Sequence, residues 1–160
     1  MQKMIEGINL RGEKREYKFE LLNAENGVRL FHEYVAGFIQ MIPNLVEALT
    51  ETKEGEEKKP LSLLEAGAVI PSLISFAQLK ELAQALVAKA TVTVDGVTHK
   101  VDESGFGPHT IGDPLEVYVD VFYALRANYP KYIDPILEKH AIPFLSALGL
   151  VPRPSGTSQD

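Results

Sequence analysis

Apolar and polar residues alternate through Tyr17, Lys18, Phe19, Glu20 and Leu21, which predicts a half-buried β-strand. Asn23 to Gly27 then turns the chain, with Asn23 or Asn26 available to cap a helix. From Val28 the period changes. Leu30, Phe31, Tyr34, Val35, Phe38, Ile39, Ile42, Leu45, Val46 and Leu49 recur at helical spacing, so a long amphipathic helix is expected. Pro43 lies inside it and should kink or split it. Upstream, Met1 to Glu16 is rich in charge and glycine and reads as a polar lead.

Between Thr50 and Pro60 no apolar residue occurs, and Glu51, Glu54, Glu56 and Glu57 mix with Lys53, Lys58 and Lys59. That composition predicts a mobile, solvated linker over 50–60. Two capping boxes follow. Ser62 with Glu65 precedes Leu64, Ala68, Val69 and Leu73, limited by Pro71; Ser75 with Gln78 opens Phe76, Leu79, Leu82, Ala83, Leu86 and Val87. The run 91–101 places Asp95-Gly96 between two β-branched stretches. Both central residues of a type I′ turn need positive φ, and Asp-Gly supplies them, so a hairpin is expected. A lone hairpin is marginal in water, and pairing with the Tyr17 strand would give a three-stranded antiparallel sheet.

A glycine-rich loop, 104–112, leads to Asp113-Pro114, read as N-cap and first helical residue, with Glu116 closing the box. Leu115, Val119, Phe122 and Leu125 form the expected inner face of this helix, widened by Val117, Tyr118 and Val121. Asn128 ahead of Tyr129-Pro130 is a stop signal. A short helix is expected from Asp134-Pro135 through His140, an apolar segment from Ile142 to Leu150, and a disordered tail over 151–160. The fold class that results is α+β and mostly α-helical, with helices packed on a small antiparallel sheet. Residues 1–150 form one domain.

Composition narrows the function classes. A chain of 160 residues can bury roughly 70% of the surface it exposes when unfolded. It contains no cysteine, which removes disulfides and thiolate metal sites and suits a reducing compartment. The net charge of −6 argues against general affinity for nucleic acid or anionic lipid. No stretch reaches the roughly 18 apolar residues of a membrane span. No apolar segment follows Lys3, so no signal peptide is expected.

The candidate chemistry is thin. His32, His99, His109 and His140 form neither HxxxH nor HExxH. His99, Asp102 and His109 are near in sequence, but the bland reading is a solvent-facing strand histidine and a loop histidine. Ser62, Ser75, Ser104 and Ser146 lie outside any GxSxG. Glu65, Glu81, Asp120 and Glu138 are read as solvated helix-surface carboxylates. Gly105, Gly107 and Gly112 fit neither a P-loop nor GxGxxG. No catalytic residue, cofactor or metal is therefore expected. The apolar segment Ile142, Phe144, Leu145, Leu148 and Leu150 is the candidate docking surface if it does not pack on its own core.

One layout of motifs stands out: an N-terminal strand Tyr17–Leu22, a charged linker, the hairpin Val92–Gly96, the loop Phe106-x-x-His109-x-x-Gly112, and a helix ending Ala124-Leu125-Arg126-Ala127-Asn128-Tyr129. Over roughly residues 15–140 the chain resembles the tail assembly chaperones of long-tailed bacteriophages. It departs from them at Thr110-Ile111, where an aromatic and a basic residue would be expected. The resemblance implies a protein of virion morphogenesis without enzymatic activity. It would bind the tape measure protein, help recruit the tail tube protein in the host cytoplasm, and be absent from the mature virion. Phe106, His109, Gly112 and Asn128 become motif residues with a structural role. The resemblance leaves room for a homo-oligomer and for a longer frameshifted form. The competing classes are a structural tail or head-completion subunit and a small enzyme whose site forms only in three dimensions.

Overall fold

A computed structural model describes residues 1–9, 11–37, 39, 71 and 74–136. Pro43, the 50–60 segment, the Ser62 capping box, Ile142 to Leu150 and the 151–160 tail lie outside the described residues. Four antiparallel strands, β1 (Gln2–Ile8), β2 (Lys14–Glu20), β3 (Thr91–Val94) and β4 (Val97–Lys100), form one sheet in the order β1-β2-β3-β4. The helices are α1 (Ala24–Leu30), which continues as a π-helical turn over Phe31–Val35, α2 (Phe76–Leu86), α3 (Leu115–Asn128) and α4 (Pro130–Ile136). The class is α+β, with helix taking about half of the described residues rather than dominating them.

The sheet has one more strand than the sequence pattern predicts. β1 lies in what reads as a polar lead, because Lys3 and Gly7 take the inward register while Met4 is exposed. β2 begins before Tyr17 for a related reason. Its buried positions are Arg15, Tyr17 and Phe19, and a buried arginine breaks the apolar alternation. Register places Ile5, Tyr17, Val92 and His99 in one row across all four strands, on the face that meets the helices. The β3–β4 turn has Asp95 at φ 50° and Gly96 at φ 80°, the left-handed pair of a type I′ turn.

Two helix starts follow their local chemistry. Asn23 accepts from the Asn26 amide at 2.8 Å and caps α1. Ser75 and Gln78 exchange the reciprocal bonds of a capping box at α2. At α3 the expected box does not form. Asp113 pairs with Arg11 at 2.5 Å, Pro114 occupies the cap position, and the Glu116 side chain turns inward. α4 starts at Pro130, earlier than the Asp134-Pro135 signal suggests, and runs through Pro135.

α3 is the central helix. It buries the line Glu116, Asp120, Tyr123, Ala124 and Ala127, and Val117, Val119, Val121 and Leu125 of the expected inner face are buried as well, whereas Leu115, Tyr118 and Phe122 are only half-buried. Tyr17 stacks on Phe19 at 5.3 Å and on Tyr123 at 5.0 Å between ring centroids. Tyr123 fits because Gly7 has no side chain: a Cβ there would sit 2.3 Å from the ring. Its hydroxyl accepts from the Ile8 amide at 2.9 Å and donates to the Ile8 carbonyl at 3.1 Å, closing that end of the β1 edge. Phe19, Leu30, Leu82, Leu86, Leu125 and Ile133 complete the core, each burial contributing about 1.5–3 kcal/mol.

Candidate functional site

Four described side chains that could do chemistry gather at one place, and it is inside. Arg15 comes from β2, Glu116 and Asp120 lie one turn apart on α3, and His109 comes from the 3₁₀ turn Pro108–Thr110. Glu116 Oε1 accepts from Arg15 at 2.8 Å and from the Asn9 side-chain amide at 2.6 Å. His109 Nε2 lies 2.6 Å from Asp120 Oδ2. The side chains of Arg15 and Glu116 are 5% and 4% exposed, and those of His109 and Asp120 are 3% and 0%. The bland sequence reading is corrected at two residues. Asp120 is a fully buried carboxylate rather than a solvated one, and His99, read as a solvent-facing strand histidine, lies half-buried on the sheet face that meets the helices; His109 is a loop histidine as expected, with its side chain buried.

Burial sets the electrostatics of this cluster. It raises the pKa of Asp120 above the ordinary carboxylate range, against the opposing pull of His109. It also drives the Tyr17 hydroxyl far above its usual range, reinforced by the charges of Asp120 and Glu116. Desolvation is the largest single effect and works against the Arg15 charge, but the hydrogen bond to Glu116 and the charges of Glu116 and Glu13 together outweigh it, and the pKa of the guanidinium is raised. Tyr17 Oη, Glu116 Oε2, Asp120 Oδ1, Arg15 Nε and His109 Nδ1 are buried without a hydrogen-bond partner among the described residues. One donor atom each from His109, Glu116 and Asp120 lie within 4.8 Å of one another, so these three are the metal-capable group among the described residues.

The arrangement is poorly suited to general base catalysis. A histidine in that role keeps one ring nitrogen on its carboxylate and presents the other to substrate. Here Nε2 is spent on Asp120, and Nδ1 is pressed against Gly107, where a Cβ would lie 2.7 Å away. The histidine–aspartate trio weighed from sequence does not assemble. His99 stands beside His109, with ring centroids 6.1 Å apart, while Asp102 accepts from the Ser104 amide at 2.8 Å in a local turn. Ser75 is a helix cap, and Glu81 is exposed. Ser62, Ser146, Glu65, Glu138 and His140 lie outside the described residues.

The four motif residues have visible structural positions. Phe106 is half-buried against the core, and Gly112 takes φ 81° in an exposed turn before α3. His109 ties its turn to α3 through Asp120. Asn128 donates to the Ala124 carbonyl at 2.9 Å and accepts from the Leu22 amide at 2.9 Å. It thus joins the end of α3 to the segment entering α1, a job done by its side chain rather than by a left-handed backbone.

The apolar surface is elsewhere. Ile142, Phe144, Leu145, Leu148 and Leu150 lie outside the described residues. Within them, Val28 is 71% and Tyr132 55% exposed. Phe31, one helical turn after Val28, meets Tyr132 at 4.9 Å and Tyr129 at 5.8 Å between centroids. The Tyr129 hydroxyl donates to the Gly27 carbonyl at 2.9 Å and holds the two elements together. This aromatic corner was missed because Tyr132 falls in no periodic stretch. No helix among the described residues is long and apolar enough to cross a membrane. No protein-family model matches the chain, and neither a curated protein nor a solved structure is significantly similar to it.

Proposed function

We propose that the protein is a tail assembly chaperone of a long-tailed bacteriophage, binding the tape measure protein and helping recruit tail tube subunits in the host cytoplasm. One observation carries the reading from the structural side: the corner formed by Val28, Phe31 and Tyr132 leaves apolar and aromatic surface exposed on a folded body. Surface of this kind suits an amphipathic client helix, which lays its apolar face on a partner through residues spaced three and four apart. The net charge of −6 keeps such a body apart from its own copies while it carries an apolar client. The motif layout from Tyr17 to Tyr129 supports the same reading.

The test is co-expression with the tape measure protein of the same phage. The soluble fraction of the tape measure protein should rise several-fold, and the chaperone should be missing from purified virions. An unchanged soluble fraction rejects the role. Recovery of the chain in stoichiometric rings within mature tails instead identifies a structural subunit.

A further inference from the structure

The buried cluster between β2 and α3 has more ligand capacity than its hydrogen bonds use. Three observations bear on this. His109, Glu116 and Asp120 bring one imidazole nitrogen and two carboxylate oxygens to within 4.8 Å of one another. Glu116 Oε2, Asp120 Oδ1 and the Tyr17 hydroxyl are buried there with no hydrogen-bond partner among the described residues, on residues that are 3%, 0% and 1% exposed. Asn9 and Arg15 both donate to the other oxygen of Glu116, which fixes the carboxylate and leaves Oε2 free. Outer partners that orient a ligand in this way accompany metal sites.

We propose that this cluster binds one divalent transition metal ion, with His109, Glu116 and Asp120 as ligands and the Tyr17 hydroxyl beside them. A mixed nitrogen and carboxylate set suits zinc or a similar first-row ion rather than calcium or magnesium. Charge balances: the dication offsets Glu116 and Asp120, and Arg15 keeps Glu13 at 3.7 Å as a second counter-charge. Tetrahedral zinc at about 2.0–2.1 Å from each donor spaces neighbouring donors roughly 3.3 Å apart. The His109–Asp120 pair at 2.6 Å must therefore open by roughly 0.7 Å, with the metal taking the place of the shared proton. The ion would tie the 108–110 turn to α3. Its role is structural, so it stands or falls independently of the chaperone reading.

The experiment is titration of chelator-treated full-length protein with cobalt(II), read by visible absorption, alongside thermal melts with zinc. The expected result is a cobalt spectrum that saturates at one ion per chain. Tm should rise by roughly 5–10 °C with zinc at about a hundred times its Kd. His109→Gln and Asp120→Asn keep hydrogen-bonding groups but weaken ligation, and either should abolish the spectrum. His99→Gln should keep it. Absence of a saturable spectrum together with an unmoved melt overturns the proposal on the wild-type protein alone, even if a variant fails to fold. A spectrum that survives in a folded His109→Gln protein also overturns it.

Discussion

Arg15 and Glu116 hold each other at 2.8 Å where neither charge meets water. Glu116→Ala would strand a buried guanidinium, and the expected loss is about 3–5 kcal/mol in urea denaturation. Arg15→Met combined with Glu116→Leu should cost much less than that single change, because desolvation of both charges disappears with their attraction. A double variant as unstable as Glu116→Ala would contradict this account of the pair. Gly105 makes a second residue-scale claim. It sits at φ 84°, and a Cβ there would lie 2.2 Å from the Ala83 carbonyl oxygen. Gly105→Ala is therefore expected to cost about 2–4 kcal/mol by the same measurement. These residue roles were the least legible in the sequence. Asp120 reads as a surface carboxylate and Glu116 as a capping-box residue. They face the core because Arg15 and His109 are brought to them across 101 and 11 residues of chain, a juxtaposition that spacing does not encode.

Elements were legible wherever local chemistry decides them. Asp95-Gly96 dictates its turn, and Ser75 with Gln78 dictates the start of α2. Ser75→Ala should lower stability by about 1 kcal/mol, seen as a shifted denaturation midpoint at unchanged slope. A larger loss would mean that Ser75 does more than cap. The strand β1 was hidden because its inward register holds Lys3 and Gly7, and Gly7 is there to admit the Tyr123 ring. The inner face of α3 was legible in part: Val117, Val119, Val121 and Leu125 are buried as expected. Hydrophobic periodicity points to Leu115 and Phe122, while the sheet is met by Glu116, Asp120 and Tyr123. At Phe31 the α1 helix widens into a π-helical turn, which alternating and helical templates alone do not foresee.

At the scale of the molecule, polar groups with chemical potential are enclosed between β2 and α3, while exposed apolar side chains include Met4, Phe76, Val97 and Ile111 as well as Val28 and Tyr132 near the Phe31–Tyr132 contact at the α1–α4 corner. On the proposed chaperone reading, the client docks at this corner. The most direct test is the binding isotherm of a purified tape measure helix with the wild-type protein and with Val28→Asp plus Tyr132→Ala. Both side chains are largely exposed, so the variant should melt within a few degrees of wild type. The prediction is an affinity at least about tenfold weaker, the equivalent of roughly 1.4 kcal/mol. Equal affinity in an equally stable variant would contradict it.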